Sequence, residues 1–377
     1  MRVALINPKG YLDSNRWMPL GLLRLATVLS SNHDVTLLDE EVFNVEAEEI
    51  DRTDVVCLSG MSHQQEGMRK WARIAREKEK PLIVGGIHTT LTDESFAGAA
   101  IVKGPGDEIL PRLLDSLPVE GVFEARWPAD LDSIPFPDRR KFGWERYGER
   151  FQNRPAIRVL GAVGCPFACK FCCNRSLSGG KLILREPEAI AAEIESSRRD
   201  LGFEVVVFAM SVFSMKRSWA ERMCGLLKDL GVDWAGTTRV DLVDRELLEL
   251  FKSSGCIHLG FGVESGSDEI LRIMQKGTTK AQARQAFSWA REVGLPTLAM
   301  FMPHVPGETP ETLRETLEFA KELAPPLGCT FQRFSPLPGS EFYDELDKWG
   351  KVVERRGDRG EFGLIGFIPN AFIGIEE

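Results

Sequence analysis

The sequence has no excess of positive charge, no long apolar run and too few cysteines for a disulfide scaffold. Its 377 residues carry a net charge of -9, which argues against a phosphate-binding surface such as a nucleic-acid site. No run of about 18 apolar residues occurs, so no helix is expected to span a membrane. Eight cysteines are far below the density of a disulfide-stapled domain, and no signal-peptide pattern is visible. We therefore expect a cytoplasmic protein whose partners are neither membranes nor nucleic acids.

Strands and helices alternate in the first part of the chain. Aliphatic runs occur at 2–6, 34–39, 54–60, 81–86 and 99–104, and segments with helical periodicity separate them. This alternation predicts βαβ units and a doubly wound, Rossmann-like parallel sheet. Ligands of such sheets bind at the carboxyl ends of the strands, where glycines follow several of these runs.

The alternation stops over 118–155, a segment rich in proline and charge that is typical of an inter-domain linker. It then resumes with six strand candidates, at 157–162, 204–209, 233–239, 257–263, 297–302 and 328–334. Amphipathic helices separate them, and two helix starts are signalled by Thr279 with Gln282 and by Thr309 with Pro310. This pattern predicts a partial (β/α)6 barrel of the TIM type, with its working face at the carboxyl ends of the strands.

The predicted organisation has four parts. They are a Rossmann-like domain over 1–117, a linker over 118–155, a partial barrel over 156–340 and a C-terminal tail over 341–377.

Four of the eight cysteines lie within nine positions, in "GCPFACKFCCNRS". Cys165, Cys169 and Cys172 follow the first predicted barrel strand, which places their loop at the barrel mouth. A structural zinc site usually needs a second pair of Cys or His ligands, and none follows here. Three thiolates can instead hold a [4Fe–4S] cluster by three irons and leave the fourth iron open to a substrate or cofactor. Cys173, directly after Cys172, is expected to pack rather than to bind.

The motif Cys-x3-Cys-aromatic-x-Cys, with Phe171 as the aromatic residue, resembles the signature of the radical S-adenosylmethionine (SAM) superfamily. Residues 234–279, residues 301–323 and "PLPGSEFYDEL" resemble the catalytic barrel of its cobalamin (B12)-binding branch. Upstream, "MPLGLLRLA", "LSGMSHQQ", "VGGIHTTLTDESF" and "SIPFPDR" resemble the cobalamin domain and linker of that branch. The resemblance covers nearly the whole chain and is closest to the class B C-methyltransferases.

The resemblance implies three cofactors: a [4Fe–4S] cluster, SAM and methylcobalamin. In this family an electron from the cluster cleaves SAM to a 5′-deoxyadenosyl radical, which abstracts hydrogen from an unactivated carbon. That carbon takes a methyl group from methylcobalamin, and a second SAM regenerates the methylcobalamin. We expect an electron donor such as flavodoxin or ferredoxin.

The methyl acceptor is expected to be a peptide or protein residue, because no separate substrate domain follows the barrel. The archaeal enzyme that C-methylates a glutamine of methyl-coenzyme M reductase resembles such an architecture. A small-molecule acceptor stays open.

Three residues are assigned to SAM from the resemblance. Phe171 lies against the adenine or, alternatively, packs beside the cluster loop. Glu264 closes the apolar strand "HLGFGVE" and is expected to hydrogen-bond SAM, since a carboxylate there needs a partner. Arg239 either reaches the SAM carboxylate or forms a salt bridge with Asp241 or Asp244.

Two further SAM candidates mark departures from the family pattern. Ser211 lies in "FAMSVFSM", where relatives often carry acidic residues, so it or the backbone is expected to contact the SAM amino group. His304 stands where relatives usually have glycine before "PGE". It is an acid–base group, a packed ring or a substrate-facing ring.

The sequence lacks the Asp-x-His-x-x-Gly pattern with which many corrin-binding proteins supply histidine to cobalt. The nucleotide tail of cobalamin is therefore expected to lie away from cobalt, along small residues that let a backbone approach a bulky ligand. These are Ser59, Ser62, Gly85 and Gly86. Candidates for the lower side of cobalt are Tyr11, Trp17, Met61 and His63, although His63 could instead cap the following helix.

Other functions stay open. A cobalamin-binding radical SAM enzyme can catalyse oxidation or rearrangement without methyl transfer. A non-catalytic cobalamin or Fe–S carrier would need no SAM site, which the three cysteines together with Glu264 indicate. A zinc-stabilised α/β binding protein would lack a fourth ligand. A methylthiotransferase is disfavoured because Cys57 alone cannot hold a second cluster in the N-terminal domain.

Overall fold

The computed structural model describes residues 1–10, 17–354 and 365–372. These residues form two compact units, one within residues 1–150 and the other from Phe151 onward. In the part of the chain described, no helix combines the length and the apolar character needed to cross a membrane.

A six-stranded parallel sheet forms the first unit. Its strands are β1 (Arg2–Asn7), β2 (Asp34–Asp39), β3 (Val55–Ser59), β4 (Leu82–Gly85), β5 (Ala99–Lys103) and β6 (Gly121–Glu124). Its helices are α1 (Leu20–Leu29), α2 (Gln65–Glu77), α3 (Ile87–Leu91), α4 (Ile109–Leu114) and α5 (Trp144–Tyr147). The strand order is β2-β1-β3-β4-β5-β6, so the direction of winding changes between β1 and β3. Sheets of this kind bind ligands at such a switch point.

Both faces of this sheet are covered, as the doubly wound prediction requires. Within β1, Ala4 and Ile6 pack with Trp71 of α2 on one face. Val3 and Leu5 point to the other face, where the core includes side chains of α1 and α4. The period-2 alternation of a strand explains this division, and it confirms the predicted fold.

The segment predicted as a linker, 118–155, contains regular structure. β6 pairs with β5 as the last strand of the sheet, and α5 follows it. Most residues of β6 are exposed. A short edge strand of this kind leaves no apolar run in the sequence from which to predict it.

The second unit contains a curved sheet of seven strands. They are β7 (Arg150–Phe151), β8 (Arg154–Leu160), β11 (Val205–Ala209), β12 (Asp233–Thr238), β13 (Cys256–Glu264), β14 (Thr297–Phe301) and β15 (Cys329–Phe331). The hairpin β9 (Ala162–Gly164) and β10 (Leu182–Leu184) follows β8 along the chain. The order is β15-β14-β13-β12-β11-β8-β7, with β8 and β11 to β15 parallel. These six parallel strands coincide with the six strand candidates and confirm the partial barrel.

Helices connect the barrel strands. They are α6 (Asn174–Ser178), α7 (Pro187–Leu201), α8 (Arg217–Leu230), α9 (Arg245–Ser253), α10 (Asp268–Ile273), α11 (Lys280–Glu292) and α12 (Pro310–Leu323). Both predicted helix starts are confirmed: Thr279 and Gln282 form a capping box at α11, and Thr309 caps α12 with Pro310 in its first turn. The C-terminal part contains α13 (Glu341–Asp344), α14 (Leu346–Trp349), β16 (Gly350–Glu354) and β17 (Ile365–Pro369).

Candidate functional site

The cysteine loop leaves the first barrel strand at its carboxyl end. Cys165 to Cys173 lie between β9 and α6, so the hairpin β9–β10 brackets the loop. Gly164, directly before Cys165, has φ 83°, and a Cβ atom there would overlap the carbonyl oxygen of Lys181 on the returning side of the hairpin. Only glycine fits this approach, so the loop begins at a fixed point.

The middle of the cysteine loop is held from two sides. The Lys170 N–H donates to the carbonyl of Met274 (3.0 Å), and the Lys170 carbonyl accepts from the N–H of Phe342 (2.9 Å). The Lys170 ammonium also lies 2.5 Å from the Glu341 carboxylate. Backbone bonds to two separate segments therefore fix the loop, which limits how far its thiols can move.

The thiols lie in a mostly buried environment, with the cations Lys276 and Arg239 near Cys169. Burial raises the pKa of Cys172 to about 11, although the N–H of Asn174 donates to its sulfur (3.5 Å). Burial also raises the pKa of Cys169, and the Lys276 and Arg239 cations oppose that rise. Burial therefore disfavours the free thiolates, and the two cations offset part of that effect at Cys169.

No group of three or more His, Cys, Asp or Glu side chains among the described residues is placed to hold a single metal ion. The loop offers three thiols, whereas a structural zinc site is closed by four ligands. A [4Fe–4S] cluster can be held by three thiolates on separate irons. This donor set, with cations beside it, fits such a cluster.

Glu264 closes β13 in an unusual backbone conformation. Its φ is 68°, and the register between β13 and β14 shifts between Gly262 and Glu264. A positive φ is uncommon outside glycine and concentrates at functional sites. The carboxylate Oε1 lies 2.7 Å from Nζ of Lys276, and these side chains are 12% and 7% exposed. Sequence reasoning predicted that this carboxylate needs a partner but did not identify Lys276 as that partner.

Arg239 is buried at the edge of the cysteine loop. Its Nε and Nη2 donate to the two carboxylate oxygens of Asp241, each at 2.9 Å, and Nη2 also donates to the Lys276 carbonyl (2.7 Å). Nη1 lies 3.9 Å from Sγ of Cys169, and the guanidinium is 3.7 Å from the ring centroid of Phe167. The salt bridge with Asp241, one of the two alternatives, is therefore present. Contact with the SAM carboxylate stays a prediction.

Phe171 lies within the cysteine loop, and Ser211 lies in the loop that follows β11. Phe171 packs against an apolar cluster that includes Met274 and Phe342, which is its packing alternative. Ser211 is exposed after β11, and its Oγ accepts from Nδ2 of Asn174 (2.7 Å). The residue after Cys173 is thus tied to the next barrel loop. The assigned roles of Phe171 and Ser211 toward SAM stay predictions.

His304 lies in the loop after β14, with φ 64°. Its backbone N–H donates to the carboxylate of Glu308. Glu308 is 1% exposed, and burial raises its pKa to about 7. The backbone of the predicted candidate His304 is therefore bound to the buried carboxyl group of Glu308, which sequence reasoning did not identify.

In the first unit, the small residues predicted to line the cobalamin tail lie together at the carboxyl ends of β3 and β4, which we call the ligand edge of the sheet. Gly86 has φ 100°, and a Cβ atom there would lie 2.6 Å from both N and O of Gly60, so the ends of β3 and β4 approach closely. Ser59 ends β3, and Ser62 Oγ lies 3.3 Å from Nδ1 of His88. Gly85 ends β4.

Two apolar side chains are exposed at the same edge. Met61 is 47% exposed and Ile87 is 40% exposed, just beyond β3 and β4. An edge with exposed apolar groups and close backbone approaches fits a large, partly apolar ligand such as a corrin.

The lower-side candidates are only partly described. Tyr11 lies outside the described residues, and Trp17 is half-buried. His63 lies in the short 3-10 turn Ser62–Gln64, and the N-cap residue of α2 is Gln64 rather than His63. Nε2 of His63 is 3.9 Å from the Glu41 carboxylate, and burial lowers its pKa. Its orientation toward cobalt stays a prediction.

Comparison with known proteins matches residues 159–320 to the radical SAM superfamily and residues 14–114 to the B12 binding domain. The chain belongs to the cobalamin-binding radical SAM proteins. The family predicted from its motifs is confirmed.

Two curated relatives resemble this radical SAM protein over most of its length. An uncharacterised methyltransferase of Pyrococcus horikoshii is 25% identical over 86% of this chain and 78% of its own. The anaerobic magnesium-protoporphyrin IX monomethyl ester cyclase of Rubrivivax gelatinosus is 28% identical over 92% of this chain and 70% of its own.

Two solved structures share the fold. The radical SAM methyltransferase TsrM from Kitasatospora setae, with cobalamin and a [4Fe–4S] cluster bound, has a TM-score of 0.77 at 17% identity, over 98% of this chain and 84% of TsrM. The cobalamin-dependent SAM radical enzyme OxsB also has a TM-score of 0.77, at 14% identity. This chain spans only 64% of OxsB, although 98% of it is covered.

Proposed function

We propose that this protein is a cobalamin-dependent radical SAM methyltransferase that methylates an unactivated carbon. The observation that carries the proposal is the loop of Cys165, Cys169 and Cys172 at the barrel mouth, with buried cations beside it. The B12-binding match in the first unit supplies the second half of the argument. When bound, the cluster and SAM supply hydrogen abstraction, and cobalamin supplies the methyl group.

In this proposal the barrel residues bind and orient SAM. Glu264 accepts hydrogen bonds from SAM with the carboxylate that Lys276 holds. Ser211 offers its hydroxyl at the rim, and Phe171 provides an apolar surface. Arg239 reinforces the loop through Cys169, and it can reach the SAM carboxylate only while sharing its charge with Asp241.

In the first unit the ligand edge binds cobalamin. Ser59, Ser62, Gly85 and Gly86 line the nucleotide tail. The exposed Met61 faces the corrin together with His63 and Trp17, and the further candidate Tyr11 lies outside the described residues. The domain boundaries proposed for these roles are 1–117 for cobalamin and 156–340 for SAM, with a linker and a tail outside them. The acceptor proposed is a peptide or protein residue, and the electron donor is a flavodoxin or ferredoxin.

A second candidate function is oxidation or rearrangement without methyl transfer. The cyclase of R. gelatinosus favours it, because that relative is named for ring closure rather than methylation. The two functions differ in what happens to the methyl group of SAM. Only a methyltransferase passes it to cobalamin.

The first test is metal content after anaerobic reconstitution with iron, sulfide and cobalamin. We expect about four irons and one cobalt per chain. Zinc alone, persisting through reconstitution, would overturn the assignment of the cysteines.

The second test compares two cysteine variants. Cys165→Ala is expected to abolish formation of 5′-deoxyadenosine from SAM. Cys173→Ala, the matched control one residue beyond the ligands, is expected to retain it. Cleavage of SAM by Cys165→Ala at the wild-type rate would contradict the cluster assignment.

The third test separates the two functions. The wild-type chain is incubated with methyl-deuterated SAM, cobalamin and a strong reductant, and bound cobalamin is analysed by mass spectrometry. Labelled methylcobalamin supports methyl transfer. Formation of 5′-deoxyadenosine without labelled cobalamin supports oxidation or rearrangement instead.

A further inference from the structure

Lys276 is a buried lysine in the turn between α10 and α11. Its side chain is 7% exposed, and its neighbours Gln275 and Gly277 both have positive φ, 50° and 73°. Burying an ammonium group and holding a glutamine in the left-handed region each cost free energy. The fold therefore holds this lysine in place despite two unfavourable contributions to the free energy of folding. This cost points to a specific role for Lys276.

Both ends of Lys276 connect to the cysteine loop. Its Nζ lies 2.7 Å from Oε1 of Glu264 and 5.8 Å from the ring centroid of Phe171, which stands between Cys169 and Cys172 in the sequence. Its carbonyl accepts from Arg239, whose Nη1 lies 3.9 Å from Sγ of Cys169. The same turn accepts the N–H of Lys170 through Met274. Lys276 therefore lies at the centre of the contacts that surround this side of the loop.

The charge of Lys276 differs from that of Arg239 in how it is balanced. Arg239 is bound by both carboxylate oxygens of Asp241, so its charge is matched within its own segment. Lys276 meets one oxygen of Glu264, twelve residues away, and that carboxylate is the one proposed to bind SAM. A change at either partner would alter the net charge beside Cys169.

We propose that Lys276 is a positioning residue that holds Glu264 at the cluster loop and, by its charge, favours the reduced form of the cluster. The inference rests on the proposed function, because it requires a [4Fe–4S] cluster on the three cysteines. Reduction adds negative charge, which a nearby cation stabilises, and little water is present to screen a side chain that is 7% exposed. The potentials of such clusters depend on net charge and solvent exposure.

The experiment measures the midpoint potential of the reconstituted full-length chain. Dithionite reduces the cluster in the presence of redox mediators, and electron paramagnetic resonance follows the reduced form. The variants are Lys276→Met, Lys276→Gln, Lys276→Arg and Glu264→Gln. Arg272→Met is the control, because it removes a cation whose side chain is 77% exposed in the same region. Iron and sulfide are measured for every variant so that only fully loaded samples are compared.

The sign of the shift distinguishes charge from structure. At a fixed potential, Lys276→Met and Lys276→Gln are expected to lower the ratio of reduced to oxidised cluster about tenfold, which is about 59 mV for one electron. Glu264→Gln leaves Lys276 unpaired and is expected to shift the ratio the other way. Lys276→Arg keeps the charge and is expected to stay near wild type, as is Arg272→Met. A merely structural role would not produce opposite shifts for the two partners.

Two outcomes overturn the inference, and they differ. If the wild-type chain takes up no iron–sulfur cluster, the proposed function fails and this inference fails with it. If the wild type loads fully but the fully loaded Lys276 and Glu264 variants keep its potential, only the role of Lys276 fails. If Lys276→Met does not load, Lys276→Gln and Glu264→Gln decide by the same criterion.

Discussion

Replacing Glu308 by glutamine should stabilise the protein, and increasingly so as the pH rises. Glu308 is 1% exposed, and one carboxylate oxygen accepts the backbone N–H of His304. Its Oε1 has no hydrogen-bond partner within the described ranges. A carboxylate in this setting loses its hydration without gaining a cation, so the protonated form is favoured.

The magnitude follows from the pKa of Glu308, which burial raises from 4.5 to about 7. At about 1.4 kcal/mol for each pH unit, ionising this group costs the folded state about 3 kcal/mol relative to the unfolded state. The folded carboxyl binds its proton at a pH where the unfolded one has released it. Its contribution to stability is therefore fully present below pH 4.5 and is lost as the pH rises through about 7.

Glu308→Gln stays neutral and keeps a carbonyl oxygen to accept the N–H of His304. We expect its free energy of unfolding to exceed that of wild type by little near pH 5 and by about 3 kcal/mol near pH 8. Urea unfolding of the cluster-free chain across this range, followed by circular dichroism, measures the difference. Glu318→Gln, on an exposed position of α12, is the control and should show no such trend. A difference between Glu308→Gln and wild type that does not grow with pH would refute the reasoning.

Two glycine substitutions test the remaining geometry. Gly164→Ala should reduce iron uptake several-fold, because its Cβ would overlap the Lys181 carbonyl. The control Gly179→Ala has a similar positive φ and open space around its Cβ, so it should take up iron normally. Equal iron uptake by both variants would show that the hairpin does not position the loop. Gly86→Ala should destabilise the chain by about 1–3 kcal/mol and weaken cobalamin binding in equilibrium dialysis, since its Cβ would lie 2.6 Å from the Gly60 backbone. Gly98→Ala, with φ 75° and its nearest contact at 3.9 Å, should leave cobalamin binding unchanged, and equal weakening by both would contradict a role for the Gly60–Gly86 approach.

The elements that the sequence predicts well are those whose residues are buried on both faces. Strand β13, predicted at 257–263, spans Cys256–Glu264, and most of its residues are buried. Such strands form continuous apolar runs that a sequence displays directly. The exposed strand β6 has no such run, since its place in the sheet comes from backbone pairing with β5. Backbone hydrogen bonds require no particular side chains, so a strand held mainly by them is hard to predict from the sequence.

The candidate site also has features that the sequence predicts and features that it does not. The place of the three cysteines in one loop at the barrel mouth was predictable, because their spacing confines them to one short segment. Their role as cluster ligands stays a prediction. The pairing of Glu264 with Lys276 was not predictable, because it joins the end of a strand to a turn beyond a helix. Neither residue type is unusual in a chain with 27% charged residues. Only the path of the chain between them reveals which lysine meets which carboxylate.

Buried charged groups near the barrel mouth differ in whether they have an ion-pair partner. Arg239 with Asp241 and Lys276 with Glu264 form ion pairs, so each charge is retained beside the cysteines at a reduced desolvation cost. Glu308 is comparably enclosed after β14, and its carboxylate accepts a hydrogen bond from a backbone N–H instead of pairing with a cation. Its pKa therefore rises until the group can be neutral at physiological pH. Two glutamates that look equivalent in the sequence thus differ in their charge state. Glu264 is a carboxylate paired with Lys276, and Glu308 is a carboxyl group that contacts the His304 N–H and is favoured in its protonated form.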